Sequence, residues 1–118
     1  MPSPKLPNYL KTHRKRAGFS QEELAFLLGC KNPAVVSRYE MSVRQPTLQT
    51  ALAYEAIFGT PLPELFGGVY EEIEKEVVRR ARKLAQKIYT DNPDPATARK
   101  LEHLRILIFG PDVIAENE

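Results

Sequence analysis

Three side chains that can recognise a DNA base lie on one face of a short predicted helix. A helix that begins at Pro33 places Ala34, Ser37 and Arg38 on the same face, because residues three and four positions apart are neighbours along a helix. An arginine can donate two hydrogen bonds to guanine, a serine hydroxyl can reach a base or a phosphate, and an alanine methyl can contact thymine. A helix face with these three side chains can enter the major groove of DNA. Taken alone, an arginine on a helix is more often a solvated surface residue. Whether Arg38 contacts DNA therefore depends on the elements that flank this helix.

Residues that usually carry catalysis or bind metals show no useful grouping in this sequence. Cys30 is the single cysteine, and His13 and His103 form with it neither a metal-binding spacing nor a nucleophile–base pair. No glycine-rich phosphate loop follows a strand pattern. The four glutamates within residues 71–76 are typical of the solvated start of a helix. The sequence therefore predicts no enzyme activity, no bound metal and no cofactor.

Length and composition indicate a small protein with a packed core. The 118 residues amount to about one domain, and 42% of them are apolar. A total of 17 lysines and arginines against 15 acids gives a net charge of +2, too little for a charged tail to explain the function. A single cysteine excludes an internal disulfide and fits a reducing cytosol. No apolar stretch approaches the ~20 residues that span a bilayer, so we expect a soluble cytoplasmic protein without a membrane segment.

Capping signals predict five short helices in the first 66 residues. Ser20 and Glu23 are the two ends of a capping box, in which each side chain accepts a backbone N–H from the other residue. Gly18 and Gly29 are helix stops, and Thr47 is an N-cap. Strand signals are nearly absent, so the sequence predicts an all-α fold. The predicted helices span residues 8–17, 21–28, 33–40, 48–58 and 61–66.

A helical extension is predicted behind a boundary at Gly67-Gly68. Residues 1–66 hold 8 Lys/Arg and 5 Asp/Glu, whereas residues 67–118 hold 9 and 10, so a mildly basic domain precedes a balanced segment. The predicted elements of that segment are helices over 69–89 and 96–109 and a frayed acidic tail over 110–118. The first of these helices carries an apolar stripe formed by Tyr70, Ile73, Val77, Ala81, Leu84 and Ile88.

Four motifs follow one another between Leu10 and Phe66. They are Leu10-x3-Arg14-x3-Gly18-Phe19-Ser20-Gln21-Glu22-Glu23-Leu24-Ala25-x2-Leu28-Gly29, Ser37-Arg38-Tyr39-Glu40, Arg44-Gln45-Pro46-Thr47-Leu48 and Leu62-Pro63-Glu64-Leu65-Phe66. In this order they closely resemble the lambda-repressor/Cro-like helix-turn-helix family, of the xenobiotic-response-element type. The resemblance implies a five-helix lobe over residues 1–66 whose third helix enters the major groove of double-stranded DNA. Pro33, directly before these three side chains, is then the fourth candidate base contact.

Phosphate contacts are expected at the start of the second helix. There Gln21 and free backbone N–H groups can hold a phosphate oxygen, and the helix dipole favours the negative charge. The other candidate phosphate contacts on this surface are Lys31, Asn32 and Arg44. These contacts position the protein on the duplex but do not read its sequence.

The resemblance also bears on positions outside the DNA-contacting surface. Similar proteins pair the arginine at the position of Arg14 with the acid that ends the recognition helix, which is Glu40 here. This pair is expected to be a structural ion pair that joins two helices. The sequence departs from the usual pattern where Ser42 and Val43 replace a common Gly-Lys, and where Glu55 replaces a small residue and is expected to face solvent or a partner.

Two classes of function are consistent with these features. The first is a repressor that binds an inverted-repeat operator as a homodimer formed through residues 69–109, with Tyr70, Ile73, Val77, Leu84 and Ile88 at the interface. The second is an antitoxin or anti-activator whose helical extension binds another protein. A third reading of the extension is that it only braces the first lobe, because two helices alone make a thin core.

Overall fold

The computed structural model of the protein describes residues 5–111, and every regular element within that range is helical. The prediction of an all-α fold, with a five-helix lobe followed by two further helices, is therefore confirmed. The helices are α1 (Leu10–Ala17), α2 (Gln21–Leu28), α3 (Ala34–Glu40), α4 (Leu48–Phe58), α5 (Leu62–Leu65), α6 (Gly67–Ile88) and α7 (Pro95–Phe109).

The chain divides into two compact units, Met1–Glu71 and Glu72–Glu118. In the first unit each of the helices α1–α5 contributes at least one buried side chain to a single hydrophobic core. Full burial of a large apolar side chain stabilises the fold by about 1.5–3 kcal/mol, so this core fixes the mutual positions of the five helices. Its buried members are Leu10, Leu24, Ala25, Val36, Tyr39, Tyr54 and Leu65.

Local capping explains why the predicted bounds of α2 and α4 are the observed ones. Ser20 Oγ accepts the Glu23 N–H at 3.0 Å, and Glu23 Oε1 accepts the Ser20 N–H at 2.8 Å. Gly29 follows α2 with φ 78°, a left-handed conformation that only glycine adopts at little cost. Thr47 Oγ1 accepts the N–H of Thr50 at 3.2 Å at the start of α4.

Two helices begin two residues away from their predicted starts, whereas α3, α5 and α7 each begin one residue away. Helix α1 begins at Leu10 instead of Asn8, because the Asn8 side-chain oxygen accepts the Leu10 N–H at 3.1 Å and Asn8 itself stays outside the helix. Helix α6 begins at Gly67 instead of Val69, so the two glycines of the predicted boundary form its first turn. The predicted fraying of the C-terminal tail falls mainly on residues 112–118, which lie outside the described residues.

Glu55 stabilises the start of α5. Its Oε1 accepts the N–H of Leu62, the first residue of that helix, at 3.1 Å. The first N–H groups of a helix have no acceptor within the helix, which explains why a carboxylate is favoured here. The expectation that Glu55 faces solvent or a partner is therefore corrected. His13 is half-buried, with its ring centroid 5.6 Å from that of Phe58.

The second unit contains the remainder of α6 and all of α7. Asp94 caps α7, since its Oδ1 accepts the Thr97 N–H at 2.8 Å. Ala81 of α6 and Leu104 of α7 are buried, and Leu84 and Leu104 line one surface groove. Within residues 5–111, no helix has the length and hydrophobicity needed to cross a membrane.

A buried tyrosine hydroxyl in the first core yields a testable prediction. Tyr54 is fully buried, and its hydroxyl has no hydrogen-bond partner among the described residues. Burial raises the pKa of this phenol. Removing an unpaired buried hydroxyl ends its desolvation cost, so Tyr54→Phe is expected to raise the free energy of unfolding by about 1 kcal/mol in urea denaturation.

Tyr9→Phe is the matched control for Tyr54→Phe. The Tyr9 hydroxyl is hydrogen-bonded, because it accepts the N–H of Leu6 at 3.3 Å. Its removal should leave the stability unchanged or slightly lower. A Tyr54→Phe variant that is no more stable than the wild type would mean that the hydroxyl finds a partner in solution.

Candidate nucleic-acid interface

Helix α3 separates its side chains into a buried face and an outward face. Val36 and Tyr39 are 0% and 5% exposed and belong to the core of the first unit. Ala34 and Arg38 are exposed and Ser37 is half-exposed, so these three of the four predicted base contacts lie together on the outward face. Within the described part of the chain, no carboxylate lies within salt-bridge distance of Arg38. Its guanidinium is therefore available to an external acceptor.

A short turn joins α2 to α3. After the left-handed Gly29, the N–H of Cys30 donates to the Ala25 carbonyl at 2.8 Å and closes the end of α2. Asn32 Oδ1 accepts the N–H of Ala34 at 3.0 Å and so supports the first turn of α3. Pro33, a predicted base contact, is half-buried directly before that turn.

An ion pair joins α1 to the end of α3. Arg14 Nε lies 2.6 Å from Glu40 Oε2, and Arg14 Nη2 lies 3.2 Å from Glu40 Oε1. The two side chains are only 10% and 3% exposed. Arg14 Nη1 also donates to the Phe19 carbonyl at 3.0 Å. Hydrogen bonding to Glu40 raises the pKa of Arg14, so the guanidinium stays charged, and the bidentate geometry fixes the end of α3 against α1.

The predicted phosphate contacts lie at the start of α2 and in the two loops that flank α3. Gln21 is half-buried and its Nε2 donates to Glu40 Oε1 at 3.1 Å. Because a side-chain amide carries two N–H groups, one remains available to a phosphate. Lys31, Asn32 and Arg44 are exposed. Their contacts with DNA stay predictions.

The loop after α3 depends on an unusual residue. Ser42 has φ 60°, a left-handed conformation that normally favours glycine. The N–H groups of Val43 and Arg44 both point at the Arg38 carbonyl, at 2.9 and 3.4 Å. Ser42 Oγ accepts a hydrogen bond of 3.1 Å from the side-chain amide of Asn8. Asn8 is thus a supporting residue that the sequence did not indicate as functional.

The helix-turn-helix family model matches residues 10–65, which comprise α1–α5. This segment belongs to the lambda-repressor/Cro-like helix-turn-helix family. The matched helix-turn-helix domain covers slightly less than half of the chain. Comparisons with curated proteins and with solved structures found no significant match. Members of the family are DNA-binding transcription regulators.

Helix α6, which follows the helix-turn-helix domain, carries exposed apolar side chains along one face. Tyr70, Ile73, Val77 and Leu84 are 42–56% exposed, although they recur at the spacing of a single helical stripe. Ile88 continues the stripe and is half-buried. Although Ala81 of the same stripe is buried, four exposed apolar side chains on one face of a helix are a candidate interface with another chain. The opposite face of α6 is charged, with residues such as Glu72, Lys75, Arg79 and Arg82.

Proposed function

We propose that the protein is a repressor that binds an inverted-repeat operator as a homodimer. The observation that carries the proposal is the outward face of α3, where Ala34, Ser37 and an exposed Arg38 lie together. The opposite face of the same helix is buried in the core, and the helix end is held by the Arg14–Glu40 pair. A helix anchored on one side and polar on the other suits insertion into the major groove.

In this mechanism the base contacts and the phosphate contacts have different tasks. Arg38 reads guanine through two hydrogen bonds, Ser37 contacts a base or phosphate, and Ala34 packs against a thymine methyl. Gln21 and the start of α2 hold one phosphate, and Arg44 holds another. The phosphate contacts set the position of α3 in the groove, so that its side chains meet the correct base pairs.

The exposed stripe of α6 supports the homodimer. A single helix-turn-helix domain presents one recognition helix and reads only a few base pairs. Two recognition helices about 34 Å apart, one turn of DNA, read two half-sites that are related by the symmetry of the dimer. The single half-buried Cys30 is compatible with the cytoplasm, where we place the protein. We propose no catalytic activity for it.

Selection of bound duplexes from a random pool tests DNA binding and site symmetry together. We expect an inverted repeat to be enriched. Against that duplex, Arg38→Ala should cost ~1–3 kcal/mol and relax the preference at one base pair of each half-site. Arg44→Ala should weaken binding to all duplexes similarly and reduce the slope of log affinity against log salt by about 0.9 for each phosphate that Arg44 neutralises.

Arg16→Ala is the matched control, because Arg16 is an exposed arginine of α1 outside the predicted interface. It should change neither the base preference nor the salt slope by a comparable amount. No enrichment of any duplex, or an affinity that does not change between low and moderate salt, would contradict the proposed function. Enrichment of a site without symmetry would retain DNA binding but contradict the homodimer.

A further inference from the structure

A four-residue segment outside the matched domain connects the end of the recognition helix to the start of α6. Residues Leu6–Tyr9, here called the connector, precede α1 and lie before the first matched position. The connector makes hydrogen bonds to three elements that are distant from it in sequence. These are the C-terminal end of α3, the end of α5 and the first turn of α6.

Asn8 forms the contact with the end of α3. It is 8% exposed, and its Nδ2 donates to the Tyr39 carbonyl at 2.9 Å and to Ser42 Oγ at 3.1 Å. Its Oδ1 accepts the Leu10 N–H at 3.1 Å. Both N–H groups and the oxygen of the amide are therefore used within the protein. Asn8 fixes the last turn of the recognition helix and the strained loop that follows it.

Backbone carbonyls of the connector cap α6. The Leu6 carbonyl accepts the N–H of Gly68 at 2.9 Å, and the Pro7 carbonyl accepts the N–H of Val69 at 3.2 Å. These N–H groups belong to the first turn of a helix and have no acceptor within it. The Tyr9 N–H donates in turn to the carbonyl at the end of α5 at 2.8 Å.

Gly68 permits this close approach. A Cβ atom at Gly68 would collide with the Leu6 carbonyl oxygen and lie 2.8 Å from the Leu6 carbonyl carbon and 2.9 Å from Pro7 Cα. These are backbone atoms, so relief requires the connector to move. A Cβ at the neighbouring Gly67 would meet only side chains, at 3.2 Å from Tyr9 and 3.5 Å from Lys5. Gly67→Ala is therefore a matched control for Gly68→Ala.

We propose that the connector is a positioning element that holds the recognition helix and the first turn of α6 in one fixed orientation. The inference rests on the proposed function, because the orientation matters only if the protein binds DNA as a dimer through α6. In such a dimer the connector fixes each recognition helix relative to the first turn of α6, the helix that carries the proposed interface. Simultaneous binding of both half-sites then depends on Asn8 and Gly68, although neither contacts DNA.

The test compares a full inverted repeat with a single half-site, at a temperature where every variant is folded. Gly68→Ala is expected to lose at least about tenfold in affinity for the inverted repeat, because linked sites gain affinity only when the geometry permits both contacts. Its affinity for the half-site should stay within about twofold of the wild type. Binding of one half-site uses one recognition helix and does not depend on the distance between two of them. Gly67→Ala should resemble the wild type on both duplexes.

A Gly68→Ala variant that binds the inverted repeat like the wild type would overturn the proposal. An equal loss of affinity for the inverted repeat and for the half-site would also overturn it. The connector would then stabilise the helix-turn-helix domain without setting its orientation in a dimer.

Amide hydrogen exchange in the absence of DNA tests the connector even if the protein does not bind DNA as a dimer. Asn8→Asp keeps the acceptor for Leu10 but places an oxygen against the Tyr39 carbonyl. Release of the connector should speed exchange at the Gly68 and Val69 amides about tenfold.

Asn32→Asp is the control, since Asn32 Oδ1 also accepts an N–H two residues ahead but lies outside the connector. Unchanged exchange at both α6 amides in Asn8→Asp would reject the connector whatever the outcome of the DNA experiments. Faster exchange together with an absence of DNA binding would reject the proposed function and retain the connection between α3 and α6.

Discussion

Replacement of Arg14 or Glu40 by alanine is expected to lower the free energy of unfolding by ~3–5 kcal/mol, the usual cost of leaving one member of a buried ion pair without its partner. In Arg14→Ala, the Glu40 side chain, which is 3% exposed, would keep only the Gln21 amide as a hydrogen-bond donor among the described residues. Loss of Glu40 would leave the Arg14 guanidinium buried with only the Phe19 carbonyl. Urea denaturation at neutral pH measures both effects.

Arg38→Ala is the control for the ion-pair variants. Arg38 is exposed and its side chain has no ion-pair partner among residues 5–111, so its removal should change stability by no more than about 0.5 kcal/mol. The double variant Arg14→Ala/Glu40→Ala should be less destabilised than the sum of the two single variants, because it leaves no unpaired charge. Similar melting temperatures for Arg14→Ala, Glu40→Ala and Arg38→Ala would show that the pair does not stabilise the fold in solution.

The sequence predicts the bounds of a helix correctly where local capping residues determine both of its ends. Helix α2 lies between a capping box and a glycine, and α4 lies between Thr47 and Gly59, and both have the predicted bounds. The outward and buried faces of α3 also follow from spacing alone, since Val36 and Tyr39 are buried and Arg38 is exposed.

Contacts between distant segments could not be predicted where the family resemblance did not supply them. Asn8 bonds to a residue 31 positions away, and nothing in its neighbours indicates that partner. The sequence predicts a boundary at Gly67-Gly68 because glycine is usually a helix stop, whereas Gly68 is needed here for a close backbone approach. Glu55 looked like a surface charge because its acceptor role depends on the position of α5.

Ser42 shows how such a distant contact compensates for local strain. A non-glycine residue with positive φ costs about 1 kcal/mol or more. The hydrogen bond from the buried Asn8 amide to Ser42 Oγ offsets part of that cost. Ser42 and Asn8 are therefore physically linked, although they lie 34 positions apart in the sequence.

The intact protein is expected to sediment at twice its 13.4 kDa monomer mass at micromolar concentration. The 22 residues of α6 form a helix about 33 Å long, and its stripe exposes Tyr70, Ile73, Val77 and Leu84. Val77→Ser/Leu84→Ser removes the two apolar side chains near the centre of the stripe from both subunits. We expect the variant to sediment as a monomer and to bind the operator at least about 100-fold more weakly, because the two half-sites are no longer linked.

Serine at these positions leaves the net charge unchanged, so electrostatic attraction to DNA is not altered. Glu72→Ser/Arg82→Ser is the control, because it places two serines on the charged face of α6 and also preserves the net charge. The control should remain dimeric and keep its operator affinity, whereas both variants should bind a half-site like the wild type. If the wild type sediments as a single 13.4 kDa species both free and on DNA, the dimer is wrong. The exposed stripe of α6 would then bind the first unit of the same chain or a different protein. A symmetric operator would need another explanation.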